Sequence, residues 1–124
     1  MSGNINFNGW INDDGTENYK CRAWVNFNGT GTVAIRASGN VSSITDNGSG
    51  DYTVNFTSAM PDANYTAVSN CSTNNSYGVQ FVSMFNSAVS NTNVAPTTSA
   101  FRLSTREYNG PGRDEEYVIV SIFR

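Results

Sequence analysis

Histidine is absent from the 124 residues. That removes the usual general base, and with it Ser-His-Asp and Cys-His catalysis. Most zinc sites go too, because the two cysteines cannot complete a shell of four ligands. Charge is also scarce. Charged residues make up 14% of the chain, the net charge is −3 and the isoelectric point is near 4.6. A basic face that neutralises phosphates is not available, so nucleic acid is not an expected partner. No apolar run is long enough to span a bilayer, and no charged start leads into an apolar signal core, so no membrane insertion is expected. No Gly-Lys-Ser/Thr phosphate loop is present.

Asn, Ser, Thr and Gly fill the gap left by charge. Disorder normally combines low hydrophobicity with high charge, so this polar, weakly charged chain reads as folded. Its length suits one domain able to bury about two-thirds of its unfolded surface. Strand signals dominate. Residues 19–27 alternate, placing Tyr19, Cys21, Ala23, Val25 and Phe27 on one face. Further short strands are predicted at 32–38 (Val33, Ile35 and Ala37 on one face), 41–45, 52–57, 65–71, 79–85, 101–105 and 117–123. Asn-Gly, Pro-Asp and Asn-Asn steps punctuate them. About eight short strands predict an all-β, jelly-roll-like β-sandwich of antiparallel strands. Residues 86–97 form the longest predicted loop, with room for one helical turn in 86–95. Residues 1–18, rich in Asn and Gly, read as an extended arm that docks by Ile5, Phe7, Trp10 and Ile11 on this domain or a neighbour. Residues 19–124 are the sandwich domain.

The stretch Asp46-Asn47-Gly48-Ser49-Gly50-Asp51 invites a calcium reading, and ligand counting rejects it. Counted from Asp46, the third and fifth positions of an EF-hand loop are Gly48 and Gly50, which carry no side-chain oxygen. A hairpin turn needs only residues tolerant of positive φ, and Asn47-Gly48 supplies them. Asp114-Glu115-Glu116 reads as a solvated tip, and no carboxyl pair is singled out for glycoside hydrolysis. Seven Asn-x-Ser/Thr sequons follow from composition. Cys21 and Cys71 lie in predicted strands, as a disulfide or as two small buried hydrophobes. Among the aromatics, Tyr52, Phe56, Phe81 and Phe123 are expected in the core. Tyr77, Tyr108 and Trp10 flank turns and suit a binding surface. The last strand is apolar on both sides, with Tyr117, Ile119 and Phe123 opposite Val118, Val120 and Ile122. Such a strand is covered on both faces, by a second subunit or as a central strand of the sandwich.

Residues 22–65, "RAWVNFNGTGTVAIRASGNVSSITDNGSGDYTVNFTSAMPDANY", resemble a segment that recurs in C-terminal tip domains of tailed-bacteriophage fibre proteins. The ending "YVIVSIFR" is similar to the close of such domains. The resemblance implies a virion structural protein: a non-enzymatic β-sandwich at a fibre tip, acting as a homotrimer that attaches to a host-surface glycan or protein. It implies no cofactor and no catalytic residues, with other virion proteins as neighbours and assembly into the virion in the host cytoplasm. A short standalone virion protein, a trimeric capsid-decoration or head-fibre protein, is the alternative. Recognition is expected at 72–78 and 107–114, on Asn74, Asn75, Tyr77, Tyr108 and Arg113. Val118, Val120 and Ile122 are expected at the subunit interface.

Overall fold

The computed structural model describes residues 4–6, 9–16, 19–73 and 79–124. Asn74, Asn75 and Tyr77 lie outside the described residues. Among the described residues, twelve strands run in order: β1 (Asn4–Asn6), β2 (Gly9–Ile11), β3 (Cys21–Asn28), β4 (Ala34–Gly39), β5 (Val41–Gly48), β6 (Asp51–Phe56), β7 (Thr66–Cys71), β8 (Gln80–Met84), β9 (Asn86–Ser87), β10 (Thr92–Asn93), β11 (Ala100–Glu107) and β12 (Val118–Phe123). Eight of them form two four-stranded antiparallel sheets, ordered β4-β3-β12-β7 and β5-β6-β11-β8. The sheets pack face to face as a β-sandwich. These eight coincide with the eight strands expected from alternation. In the amino-terminal segment, β1 pairs with β2 and joins neither large sheet.

The core forms because alternate residues of facing strands point between the sheets. Ala23, Val25 and Phe27 of β3 meet Tyr52, Val54 and Phe56 of β6, with Phe101 and Leu103 of β11. Each large apolar side chain buried this way contributes about 1.5–3 kcal/mol. Tyr65, Phe56, Phe85 and Phe101 cluster at one end, with ring centroids 5.6–6.1 Å apart and mostly edge-to-face. The Tyr65 hydroxyl lies 2.9 Å from the Thr97 carbonyl oxygen and 3.2 Å from that of Ala100, so the buried phenol keeps an acceptor.

Val118, Val120 and Ile122 complete this core at 0%, 3% and 1% exposure. Their assignment to a subunit interface is therefore corrected: β12 is a central strand, and these three face the second sheet of the same chain. The outer side of β12 stays exposed instead. Ile119, Phe123 and Tyr117 lie there with Trp24 of β3 and Val68 of β7. Phe123 is thus not a core residue. The pairing explains the difference, because residue parity relative to the buried Val118 decides the face, and ring size does not.

Three smaller expectations also change. Ala37 leaves the face of Val33 and Ile35, because a bulge lets Asn26 pair with Ala37 while Phe27 pairs with Ile35. In place of a helical turn within 86–95 there is a short ladder, Asn86–Ser87 against Thr92–Asn93. Cys21 and Cys71 are free thiols, exposed and half-buried respectively. They pair with Phe123 and Val118, at opposite ends of β12, too far apart for a disulfide.

Candidate functional site

The outward face of the sheet β5-β6-β11-β8 carries a polar network. Asp51, the first residue of β6, faces outward opposite Ser104. It is fully buried because the β9–β10 ladder folds over it. Arg102 grips it side-on, Nε to Oδ1 at 2.7 Å and Nη2 to Oδ2 at 3.0 Å. The Ser87 hydroxyl and the Val89 N–H donate to the same Oδ2, at 2.7 and 2.9 Å. Burial alone would raise the carboxyl pKa, but the guanidinium, the N–H and the hydroxyl outweigh it and hold Asp51 below the usual carboxylate range. The acid that closes the candidate calcium stretch is therefore half of a buried ion pair. Asp46 is also engaged, accepting the Gly48 N–H at 3.0 Å.

The turn reading of that stretch holds, two residues further along than expected. Gly48 and Gly50 take the positive φ values, 140° and 63°, while Asn47 stays in strand β5. Asn47 instead donates to Thr53 Oγ1 across the hairpin at 2.8 Å. The turn is locked to the 107–116 segment. Gly50 N–H donates to Asp114 Oδ1 at 2.7 Å, and a Cβ on Gly50 would collide with backbone atoms of Arg113 and Thr105. Gly112 is pressed on the Ser49 carbonyl in the same way.

Asp114 and Glu115 are consequently not a solvated tip. Asp114 Oδ1 lies 2.7 Å from the Tyr52 hydroxyl, which burial and that carboxylate hold far above its ordinary pKa. Glu115 is 3% exposed and lines a cavity of about 310 Å³ with Thr30, Ser72, Thr73, Asp114, Glu116 and Tyr117. Burial raises its carboxyl pKa, the neighbouring Asp114 adds to the rise and a hydrogen bond from Ser72 offsets part of it. The chain does hold a raised carboxyl, which sequence reading did not find. The signal was faint: an acid two residues before an apolar strand looks like any turn acid.

A second opening, a groove of about 350 Å³, lies at the β8 edge of the sheet. Phe81 and Ser83 of β8, Arg106 and Glu107 of β11, Asn91, Asn109 and Gly110 line it. Phe81 is 41% exposed, which corrects its expected place in the core. It pairs with Arg106, whose side of β11 faces away from the core, and its own parity follows. Asn91 and Asn109 sit in left-handed turns, at φ 52° and 54°, a conformation Asn tolerates. Arg106 Nη1 donates to Asn91 Oδ1 at 2.8 Å and to Asn86 Oδ1 at 3.4 Å. Glu107 is paired with Arg113, Nη2 to Oε2 at 3.2 Å.

Of the two segments expected to carry recognition, 107–114 borders this groove through Glu107, Asn109 and Gly110, whereas Ser72 and Thr73 of the other line the cavity beside Glu115. The Tyr108 N–H donates to the Val79 carbonyl at 3.1 Å. Tyr108 is 71% exposed beside the groove, and Arg113 orients Glu107 at its wall. Phe81, Arg106, Asn91 and Asn109 were not singled out by sequence. The one available signal was Arg106 as a second arginine beside Arg102 in a single strand, in a chain of low charge. An aromatic face ringed by amides, a hydroxyl and a guanidinium stacks on and hydrogen-bonds a polar ligand, the chemistry of sugar recognition. No known protein family, curated protein or solved structure matches this chain.

Proposed function

We propose that the chain is a bacteriophage virion structural protein, a fibre-tip module that attaches to a host-surface glycan or protein without chemically altering it. The observation that carries the reading is the groove at the β8 edge. It offers an exposed aromatic face and several polar groups on rigid strands and tight turns, beside the exposed ring of Tyr108. The resemblance of residues 22–65 and the β-sandwich architecture both fit a tip domain. The reading includes a homotrimer. Two further copies of the chain would cover the apolar strip of Trp24, Val68, Ile119 and Phe123. Three weak sites presented together bind a repetitive surface far more tightly than one. No cofactor enters this reading, and other virion proteins are its neighbours in the assembled particle.

Labelling the chain in intact particles tests the assignment. The expected result is signal at the distal end of a fibre. Signal distributed over the head would move the chain to the alternative, a trimeric capsid-decoration or head-fibre protein. Absence from purified particles contradicts both.

A further inference from the structure

The groove carries one feature that a neutral sugar does not need. Arg102 and Arg106 lie four residues apart on the same outward side of β11, and they are used differently. Arg102 spends its Nε and Nη2 edge on Asp51, in the side-on, two-bond geometry that matches a carboxylate. Arg106 makes both of its hydrogen bonds through Nη1, to the amide oxygens of Asn86 and Asn91. Those bonds fix the guanidinium plane. Among the described residues, no acceptor takes the Nε and Nη2 edge of Arg106, and no carboxylate pairs with it.

The local charge supports the same conclusion. Glu107, the acid that lines the groove, is neutralised by Arg113. The remaining formal charge in the groove is the +1 of Arg106, in a chain whose net charge is −3. A held, half-buried guanidinium with a free two-donor edge is suited to a planar anion. Phe81, its cross-strand partner, supplies the adjoining apolar face. We infer that the groove selects a carboxylate-bearing sugar unit, with the carboxylate on the Nε/Nη2 edge of Arg106 and the sugar ring against Phe81. This inference rests on the attachment reading and names the class of glycan it takes.

The test compares methyl β-glucuronide with methyl β-glucoside, which differ at one carbon, by NMR titration of the whole chain. The expected result is shifts at Phe81, Asn91, Arg106 and Asn109, with the glucuronide binding roughly tenfold more tightly. The preference should shrink as salt rises, because the contact is ionic and open to solvent. Arg106→Gln should abolish the preference while leaving weak binding of both probes, and Phe81→Ala should weaken both. If Arg106→Gln does not fold, the wild-type preference and its salt dependence decide alone. Equal binding of the two probes overturns the inference and leaves the attachment reading standing. Binding of neither, at probe concentrations of about 50 mM, overturns the inference and removes the groove as a site for these sugars, while labelling of intact particles decides the attachment reading separately.

Discussion

Asp51 and Glu115 are both acids next to glycine-rich or acidic turns, and the fold treats them oppositely. Asp51 is buried against a guanidinium, so removing it strands Arg102 in a partly buried position. Asp51→Ala should cost about 3–5 kcal/mol, read by chemical denaturation. The pH dependence has a definite sign. The folded carboxyl titrates below the ordinary value of 3.8, so its contribution is fully present above about pH 4 and is lost as the pH falls through the folded pKa. Acid titration of the folded protein, followed by fluorescence, should show unfolding in that window, and Asp51→Asn should flatten it. Gly50 makes the second prediction at this scale. Alanine there meets both a strained φ and the backbone of Thr105 and Arg113, so Gly50→Ala should lower stability by about 2 kcal/mol or more in a thermal melt. Neither acid's fate was legible in the sequence. Both depend on partners far along the chain, such as Val89 and Arg102 for Asp51 and Ser72 for Glu115.

Among the elements, alternation located all eight principal strands, because a half-buried strand must place every second residue in the core. What alternation left open was which face of a doubly apolar strand is inward. β12 shows it. Its two apolar sets are equivalent in the sequence, and only pairing with β3 and β7 settles that Val118, Val120 and Ile122 are the buried set. The two faces should respond differently. Ile122→Ala should cost about 2–5 kcal/mol, whereas Ile119→Ala should stay within about 0.5 kcal/mol in the monomer. Equal losses would place β12 between two covers within one chain. Local bulges and the β9–β10 ladder were out of reach for a related reason. They are set by pairing and packing between distant segments, the ladder by the Asp51 carboxylate that Ser87 and Val89 bond, and not by local propensity.

Across the whole molecule, the two outer faces differ in kind. One sheet shows an apolar strip, the other a polar network and a groove. Trimerisation through the strip and recognition at the groove would keep the three binding sites clear of the subunit contacts. Light scattering at micromolar concentration should return three times the chain mass, and Ile119→Arg should return the monomer mass with an unchanged fold. A monomeric wild-type chain contradicts the trimer. The resemblance of residues 22–65 covers the scaffold, from β3 to the residue before β7, and no residue of that segment lines the groove. The residues that line the groove lie downstream, where the resemblance gives no guide, so the site had to be found from the fold.

In the proposed function the chain recognises a surface glycan through this groove. Binding of the purified chain to an array of bacterial surface glycans tests it most directly, with Phe81→Ala/Tyr108→Ala as the paired variant and circular dichroism confirming its fold. The expected result is a defined set of glycans bound by the wild-type chain and none by the folded variant. Undiminished binding by the variant, or no binding by the wild type, contradicts it.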